Sequence, residues 1–298
     1  MFYRIALTFL LLALISACSR SPEPEPIQDT VETQASVTGP IRVEAPGGVE
    51  IAATVHGIGQ PTVVLVHGWM CDQTYWEAQA PALAERFGVV TVDLAGHGQS
   101  GIDRQDWTIA SLGDDVVAVV SKLQLEQVVV VGHSMGGRVG LEAARQLPNR
   151  VIGVIGVDTL RDADEELDPE MVGALLAGFE TDFAATCDGF VRSMFGDQAS
   201  EVLIDEIAAD MCSGPAGIGA ALIRDYVAYD LAAALQLADV PIRAVNADKW
   251  PTNVTANRKY ADFDAVILEG YGHFLMQEAP DELNDALIEA VTGLAAEN

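Results

Sequence analysis

From residue 41 onward, short runs of apolar residues alternate with stretches that have the hydrophobic spacing of helices. Four apolar runs predict strands at residues 62–66, 89–93, 127–131 and 151–157. The stretches between them predict helices at residues 76–86, 109–123 and 137–147. Because these strands are apolar at nearly every position, instead of at every second one, we expect them to be parallel and covered on both faces. The alternation predicts an α/β sheet with right-handed connections.

Two further regions complete the pattern. A hairpin is predicted at residues 41–44 and 50–55, and the C-terminal part predicts strands at 241–246 and 265–268 with helices at 255–260 and 280–296. Residues 161–238 are rich in alanine and helical in pattern, with no convincing strand. We therefore expect one α/β core, residues 41–160 and 239–298, interrupted by a helical block at 161–238.

The N-terminus has the pattern of an export signal. Arg4 precedes an apolar run of thirteen residues, which is shorter than the roughly 18 needed to span a bilayer, so residues 1–17 predict a signal peptide. The run ends in Ile15-Ser16-Ala17-Cys18, which resembles the lipobox of bacterial lipoproteins. That resemblance implies acylation of Cys18; an ordinary secretory signal is the alternative.

Residues 18–40 alternate proline with acidic residues and lack apolar periodicity, so we expect a disordered tether. Ser19 after the cysteine resembles the sorting signal for the outer membrane. Together these features predict an exported protein attached to a bacterial membrane, the outer membrane facing the periplasm in an organism that has two.

The strongly acidic composition of the chain limits the partners that it can bind. Asp and Glu number 44 against 16 Lys and Arg, a formal net charge of −28. Binding of nucleic acid needs a basic surface that displaces counterions, so no nucleic-acid partner is expected. Docking to anionic lipid headgroups is disfavoured for the same reason. With 50% hydrophobic residues, the chain has ample material for a core, and we expect a monomer.

Four cysteines are present, and an acylated Cys18 leaves three of them. An exported protein can form disulfides. Cys187 and Cys212 fall in the same helical block, so we predict that they pair and that Cys71 is a small buried apolar residue. Three unpaired core cysteines remain the alternative.

A glycine-rich turn carries the first candidate for chemistry. The segment Gly132-His133-Ser134-Met135-Gly136 directly follows a predicted strand and precedes a predicted helix. The bare G-x-S-x-G pattern is common, but in this position it predicts a sharp turn that raises the serine hydroxyl above the sheet. Ser134 is therefore the candidate nucleophile.

A serine nucleophile needs a base, and His273 is the only one of the five histidines that follows Ser134 in the chain. It lies just past a predicted strand, at the sheet edge expected for Ser134. The base in turn needs a carboxylate that orients its ring. Asp248, just past strand 241–246, is favoured for this role, and Asp158, at the end of the preceding strand, is the alternative.

Acyl transfer also needs donors for the developing oxyanion. The backbone N–H of Met135, at the start of the helix, is one candidate. The second is the backbone N–H of Trp69, in the loop after strand 62–66. In that loop, we expect His67 to be structural.

Four ordered motifs resemble the α/β-hydrolase superfamily. They are His67-Gly68-Trp69, the run Asp93-Leu94-Ala95-Gly96-His97-Gly98-Gln99-Ser100, the serine turn at 132–136, and Gly272-His273. The resemblance covers about residues 41–298. It implies the α/β-hydrolase fold: a mostly parallel central sheet flanked by helices, with the block 161–238 as an inserted helical cap.

The resemblance also implies a mechanism, in which Ser134 forms an acyl-enzyme that water activated by His273 then hydrolyses. The chain departs from the family in its acid loop, because Asn246-Ala247-Asp248 is shorter than the usual spacing. Some haloalkane dehalogenases of the superfamily keep their acid where Asp158 lies. A serine at position 134, where dehalogenases and epoxide hydrolases have aspartate, argues against both of those chemistries.

Aromatic residues are candidates for the substrate pocket. Trp250 and Tyr271 lie beside the candidate acid and base, and Phe179, Phe183 and Phe190 share one predicted helical face. No phosphate-binding cluster, dinucleotide loop or zinc motif of the H-E-x-x-H type is present, so no cofactor and no metal is expected.

The leading hypothesis is a serine hydrolase that acts on a small carboxylic ester or related acyl substrate. One alternative is a cofactor-free perhydrolase, since Trp69 after His67-Gly68 resembles haloperoxidase-like esterases. Another is a hydrolase-like receptor that binds a ligand without turnover.

Overall fold

An eight-stranded sheet runs through residues 38–297, the part of the chain that the computed structural model describes. Its strands are β1 (Gly39–Glu44), β2 (Glu50–Gly57), β3 (Thr62–Val66), β4 (Gly88–Val92), β5 (Val128–His133), β6 (Val151–Val157), β7 (Ile242–Ala247) and β8 (Phe263–Leu268). Their spatial order is β1-β2-β4-β3-β5-β6-β7-β8. β1 and β2 form an antiparallel hairpin, and β2 pairs antiparallel with β4. Every pairing from β4 to β8 is parallel, which confirms the predicted fold class.

Helices cover the sheet. The helix α1 (Gln79–Ala84) packs against β4 and against the final helix α11 (Pro280–Ala296), while α2 (Ile109–Lys122) packs against α3 (Met135–Gln146). Every residue of β3, β4 and β5 is buried. This burial on both faces is why the strands are apolar throughout.

The predicted boundaries of most elements agree with the structure within two residues. Residues 76–86, predicted as one helix, form a 3-10 turn at Gln73–Trp76 followed by α1. The turn begins where Asp72 caps the N–H of Thr74. The helix α9 (Val254–Asn257) is shorter than the predicted 255–260, and α10 (Leu275–Glu278) was not predicted.

Five helices lie between β6 and β7. They are α4 (Pro169–Thr181), α5 (Phe183–Arg192), α6 (Glu201–Met211), α7 (Ala216–Ala228) and α8 (Leu231–Ala238). Four of them begin at a side-chain cap, namely Asp168, Asp182, Ser200 and Asp230. Such caps satisfy the free N–H groups of a first turn, so each start is set locally.

The disulfide prediction is confirmed. Cys187 in α5 is bonded to Cys212, the residue after α6, with the two Cα atoms 5.7 Å apart. The bridge therefore joins two consecutive helices of the insertion. Cys71 has a free thiol and is buried, as expected, and its burial raises the pKa of the thiol.

The predicted signal peptide (1–17), the candidate lipidation residue Cys18 and most of the predicted tether (18–40) lie outside the described residues. Gly39 and Pro40 already belong to β1, so the tether was predicted two residues too long. Within residues 38–297, every helix is too short or too polar to cross a lipid bilayer.

Candidate active site

The turn between β5 and α3 holds Ser134 in a strained backbone conformation. Its φ is 53° and its ψ is −117°, a region that residues with a side chain rarely adopt. A Cβ on Gly132 would lie 2.1 Å from the carbonyl oxygen of Gly136, and a Cβ on Gly136 would lie 2.5 Å from that of Val66. Glycine is therefore required on both sides. The resulting turn places Ser134 at the first turn of α3, as the motif predicts.

His273 lies in the loop between β8 and α10 and is almost fully buried. Its Nδ1 atom lies 2.6 Å from Oδ2 of Asp158. Its backbone is fixed on both sides, since its N–H donates to the Met194 carbonyl at 2.9 Å and its carbonyl accepts from Nε2 of His133 at 3.0 Å. With Nδ1 bonded to the carboxylate, Nε2 is the ring nitrogen left for a base.

Asp158 is the first residue after β6 and is 2% exposed. Burial acts to raise the pKa of its carboxyl, but the bonds from His273 and Arg161 outweigh burial and hold that pKa below its ordinary value. Asp158 is therefore a carboxylate at neutral pH. Its strand pairs directly with the strand that leads into Ser134.

The preference for Asp248 as the partner of His273 is wrong. Asp248 continues the pairing of β7 with β8, because its N–H donates to the Leu268 carbonyl at 3.2 Å. Its side chain turns to the next loop, where Oδ1 accepts from the Gly270 N–H at 2.8 Å. The short acid loop thus leaves Asp248 at the rim of the sheet. Asp158, the alternative, is the carboxylate that is bonded to the imidazole ring of His273.

The loop after β3 faces the serine turn. A Cβ on Gly68 would lie 3.3 Å from Cβ of Ser134, so the loop backbone passes close to the candidate nucleophile. Beside it, His67 is fully buried, accepts from the Leu94 N–H through Nε2 at 3.0 Å and donates from Nδ1 to the Gly68 carbonyl at 2.8 Å. Burial lowers the pKa of His67 to about 4, so it is neutral at pH 7 and orders the loop, as expected.

Trp69 and Met135, whose backbone N–H groups are the candidate oxyanion donors, line the same cavity as Ser134. Within residues 38–297, neither of these N–H groups donates to a protein acceptor. Two unsatisfied donors beside a serine at a helix N-terminus can bind a developing oxyanion. The indole of Trp69 is anchored separately, since its Nε1 donates to the Gly219 carbonyl at 2.9 Å.

A cavity of about 300 Å³ opens over Ser134 and His273, between the sheet edge and the inserted helices. Its walls are mainly apolar, with Leu160, Leu175, Met194, Met211, Ile223 and Leu231 among the residues that line it. Trp250 also lines it, with its ring edge-on to His273 at 6.0 Å between centroids. This agrees with the prediction for Trp250.

Three of the other aromatic candidates do not line the cavity. Phe179 and Phe183 pack behind Trp69, with ring centroids 5.3 Å and 6.0 Å from it. Tyr271 points away, and its hydroxyl donates to Glu282 at 3.2 Å. Phe190, on the same predicted face, does line the cavity. The prediction of one helical face is wrong, because α4 ends at Thr181 and Phe183 begins α5. The three phenylalanines form a cluster around Trp69, and only Phe190 reaches the cavity.

Two cavity residues were missed by the sequence reasoning. Arg161 donates to Asp158 from the side opposite His273, and its place three residues after the acid was the available signal. Arg138, one helical turn after Ser134, lies over the Tyr226 ring at 3.5 Å from its centroid. Among residues 38–297, no group of three or more histidine, cysteine or acidic side chains is arranged to hold a metal ion.

Comparison with known proteins identifies the family. The model of the alpha/beta hydrolase family matches residues 63–286, which is most of the chain. The chain belongs to the alpha/beta hydrolase family. The match includes the strands that lead to Ser134 and Asp158 and the loop that holds His273, and it supports a hydrolase. It confirms the superfamily that the four motifs predict.

Individual relatives of this alpha/beta hydrolase are more distant. An uncharacterized protein of Mycobacterium tuberculosis is 37% identical over 120 residues, 38% of this chain and about a third (35%) of that protein's length. A karrikin insensitive 2 receptor of Petunia hybrida is 26% identical over 203 residues, 65% of this chain and 75% of the receptor. A thermophilic esterase from Thermogutta terrifontis superposes with a TM-score of 0.74 at 23% identity, covering 87% of this chain and 100% of the esterase; this likeness shows the fold alone.

Proposed function

We propose that this alpha/beta hydrolase is a serine hydrolase that cleaves a small carboxylic ester or related acyl substrate through an acyl-enzyme intermediate. The observation that carries the proposal is the bond of 2.6 Å between His273 and the buried Asp158 carboxylate, on the cavity that Ser134 borders. A buried aspartate that bonds a histidine in this way orients the ring as a base and stabilises its protonated form.

In the first step, Nε2 of His273 takes the proton of the Ser134 hydroxyl as the oxygen attacks the ester carbonyl carbon. The carbonyl oxygen becomes an oxyanion and accepts from the backbone N–H groups of Trp69 and Met135, each of which is worth about 100- to 1000-fold in rate. The protonated His273 then gives its proton to the leaving alcohol. Water, deprotonated by His273, attacks the acyl-enzyme and releases the acid and free Ser134.

The cavity favours a compact, apolar substrate. A volume of about 300 Å³ is at the lower end of the range for small-molecule sites. Its mainly apolar lining stabilises short acyl chains by burial, at about 0.8 kcal/mol for each methylene group. We therefore expect acetyl and butyryl esters to be better substrates than long-chain esters.

The test is hydrolysis of p-nitrophenyl acetate and butyrate. We expect a burst of nitrophenol equal to the enzyme concentration, and a loss of about 10⁴-fold or more in kcat for Ser134→Ala. Ser193→Ala is the matched control, since Ser193 also lines the cavity but its hydroxyl donates to the Phe190 carbonyl. Equal activity of wild type and Ser134→Ala would rule out the proposal.

The likeness to the petunia receptor supports a second candidate, a ligand receptor that does not turn over. A stoichiometric burst followed by no steady-state release would favour it. Peroxide-dependent bromination that exceeds ester hydrolysis would favour the third candidate, a cofactor-free perhydrolase.

We also propose that the protein is exported and attached to the bacterial membrane through acyl chains on Cys18, which would leave the catalytic core in the periplasm. The lipobox-like sequence 15–18 supports this. Detergent phase partition of full-length protein tests it: wild type should enter the detergent phase and Cys18→Ser the aqueous phase. Equal partition of the two proteins would contradict the anchor.

A further inference from the structure

One guanidinium group joins the Asp158 carboxylate to the loop that follows β7. Nη2 of Arg161 donates to Oδ1 of Asp158. Nη1 donates to the carbonyl oxygen of Trp250 and to that of Ala247, the latter at 3.2 Å. The Arg161 side chain is 15% exposed and the Asp158 side chain is 0% exposed. This ion pair is therefore largely removed from solvent, where screening is weak.

The two carboxylate oxygens have separate partners. Oδ2 accepts from His273, while Oδ1 accepts from Arg161 and from the backbone N–H of Ala247 at 2.7 Å. With donors on both oxygens, the carboxylate cannot rotate without breaking a charge-assisted hydrogen bond. Arg161 therefore fixes the orientation of the group that orients His273.

Arg161 also changes the electrostatic environment of His273. A buried carboxylate alone favours the protonated ring, because opposite charges attract strongly in a medium of low dielectric constant. A guanidinium on the other oxygen offsets much of that negative charge. The imidazole ring of His273 therefore faces a carboxylate whose charge is partly neutralised by Arg161.

Each of the other ionisable groups around His273 is neutral or has a contact of its own. The neighbouring His133 is buried, and burial lowers its pKa well below the ordinary value, so it is neutral. Glu278 accepts from the backbone N–H groups of Gly272 and Phe274. Asp162 accepts from the Asn253 amide at 3.0 Å, and Lys249 lies 5.6 Å from the centroid of the Trp250 ring. Among residues 38–297, the ionisable side chains bonded to Asp158 are His273 and Arg161.

We propose that Arg161 is a positioning residue of this hydrolase, which holds the Asp158 carboxylate against His273 and offsets part of the negative charge that this carboxylate presents to the ring. The inference rests on the proposed serine hydrolase function. It extends the site by one residue that does not touch the substrate's reacting atoms.

The experiment measures two rates from pH 4 to 9 for wild type, Arg161→Gln and Arg161→Lys. The first is the rate at which a fluorophosphonate probe labels the protein, which needs the base but no turnover. The second is the steady-state rate of p-nitrophenyl acetate hydrolysis, from which kcat and KM are obtained separately. Arg258→Gln is the control, because Arg258 forms an exposed ion pair with Asp264 at 3.2 Å. Far-UV circular dichroism and thermal unfolding verify that each variant is folded.

For Arg161→Gln we expect the acid limb of both profiles to move to higher pH, by on the order of one pH unit, since a positive charge near the ring is lost. The plateau of kcat should fall by about 10-fold with KM changed by less than about 3-fold, because orientation of the base is lost and substrate contacts are kept. Arg161→Lys keeps the charge but not the two-pronged donor, so its acid limb should stay in place while its plateau falls. The control Arg258→Gln should match wild type in the position of the acid limb and in the height of the plateau.

An unmoved acid limb in folded Arg161→Gln would overturn the electrostatic part of the inference. A wild-type plateau in Arg161→Lys would overturn the positioning part, and this variant decides the matter if Arg161→Gln does not fold. Failure of the wild type to be labelled at any pH would instead overturn the proposed function. The two failures are therefore distinguishable.

Discussion

The Nδ1 atom of His273 lies 2.6 Å from Oδ2 of Asp158, while the carboxylate of Asp248 accepts a hydrogen bond from the backbone N–H of Gly270. The two aspartates follow neighbouring strands, β6 and β7, so they are separated by only one strand position at the same sheet edge. Which of them orients the histidine is decided by the turn that follows each strand. Substitution of asparagine for each aspartate should therefore have very different effects on kcat.

Asp158→Asn should lower kcat by about 10³- to 10⁴-fold, because an amide can hold His273 in the wrong tautomer and cannot stabilise the protonated ring. Asp248→Asn should change kcat by less than about 3-fold, since the amide oxygen can still accept from Gly270. Steady-state kinetics with p-nitrophenyl acetate measures both. The reverse ranking would show that the ring changes its partner during catalysis.

Trp250→Ala should raise KM by about 5- to 10-fold with little change in kcat. The indole lines the cavity beside His273, and its loss removes an apolar contact worth about 1 kcal/mol or more. The backbone carbonyl that Arg161 binds is kept. Tyr271→Ala is the matched control and should leave KM within about 2-fold, since Tyr271 faces Glu282. Equal effects of the two substitutions would contradict the assignment of the cavity wall.

Stability should fall as the pH is lowered from about 6.5 toward 4, partly because of two buried histidines. Burial lowers the pKa of His67 to about 4, and burial, followed by the neighbouring His67, lowers the pKa of His97 to about 3. Both pKa values are lower than the pKa of about 6.5 that a histidine has in the unfolded chain. Between these values, the folded state therefore binds fewer protons than the unfolded state. The stabilising contribution of each histidine is complete above about pH 6.5. Between that pH and the pKa of the folded state, the contribution falls by about 1.4 kcal/mol per pH unit.

Urea unfolding at pH 7, 6 and 5 checks this prediction. The slope of the unfolding free energy against pH should be smaller in His97→Gln than in wild type by about 1.4 kcal/mol per pH unit. His56→Gln removes an exposed histidine and should alter the slope much less. An unchanged slope in His97→Gln would mean that His97 is charged in the folded protein.

Loss of the disulfide should lower the free energy of unfolding by about 3 kcal/mol, because the bridge closes a loop between positions 25 residues apart. The double substitution Cys187→Ser and Cys212→Ser tests it by urea unfolding. Wild type measured with a reducing agent should match the double variant, and Cys71→Ala should still respond to the reducing agent. A reductant-insensitive wild type would contradict the bridge.

The sequence predicted the sheet well because its buried parallel strands are covered on both faces, so that nearly every position of each run is apolar. Ser134 and His273 could be placed at one edge of the sheet from the sequence, because a tight glycine turn and a loop after a strand are local features. Even the pairing of Cys187 with Cys212 could be predicted from their shared helical block.

The acid and the cavity wall were harder to predict, because they depend on how turns and helices orient side chains. Both Asp158 and Asp248 directly follow a strand, and the backbone N–H of each donates to the neighbouring strand. Only the bond from the Gly270 N–H to the Asp248 carboxylate shows that this side chain turns away from the ring. Phe179 lies in α4 and Phe190 in α5, although the sequence predicted one helical face for both. Each ring contacts Trp69, but only Phe190 also lines the cavity. The contact of Arg161 with Trp250 spans 89 residues of sequence, which local patterns do not reveal.

The most direct test of the account is the site at which a fluorophosphonate probe attaches to the folded protein. Intact mass and peptide mapping should find one adduct, on Ser134, and labelling should be lost in Ser134→Ala and slowed by several orders of magnitude in His273→Ala. An adduct on another residue, or none on Ser134 while the protein is folded, would contradict the claim that Ser134, His273 and Asp158 act together.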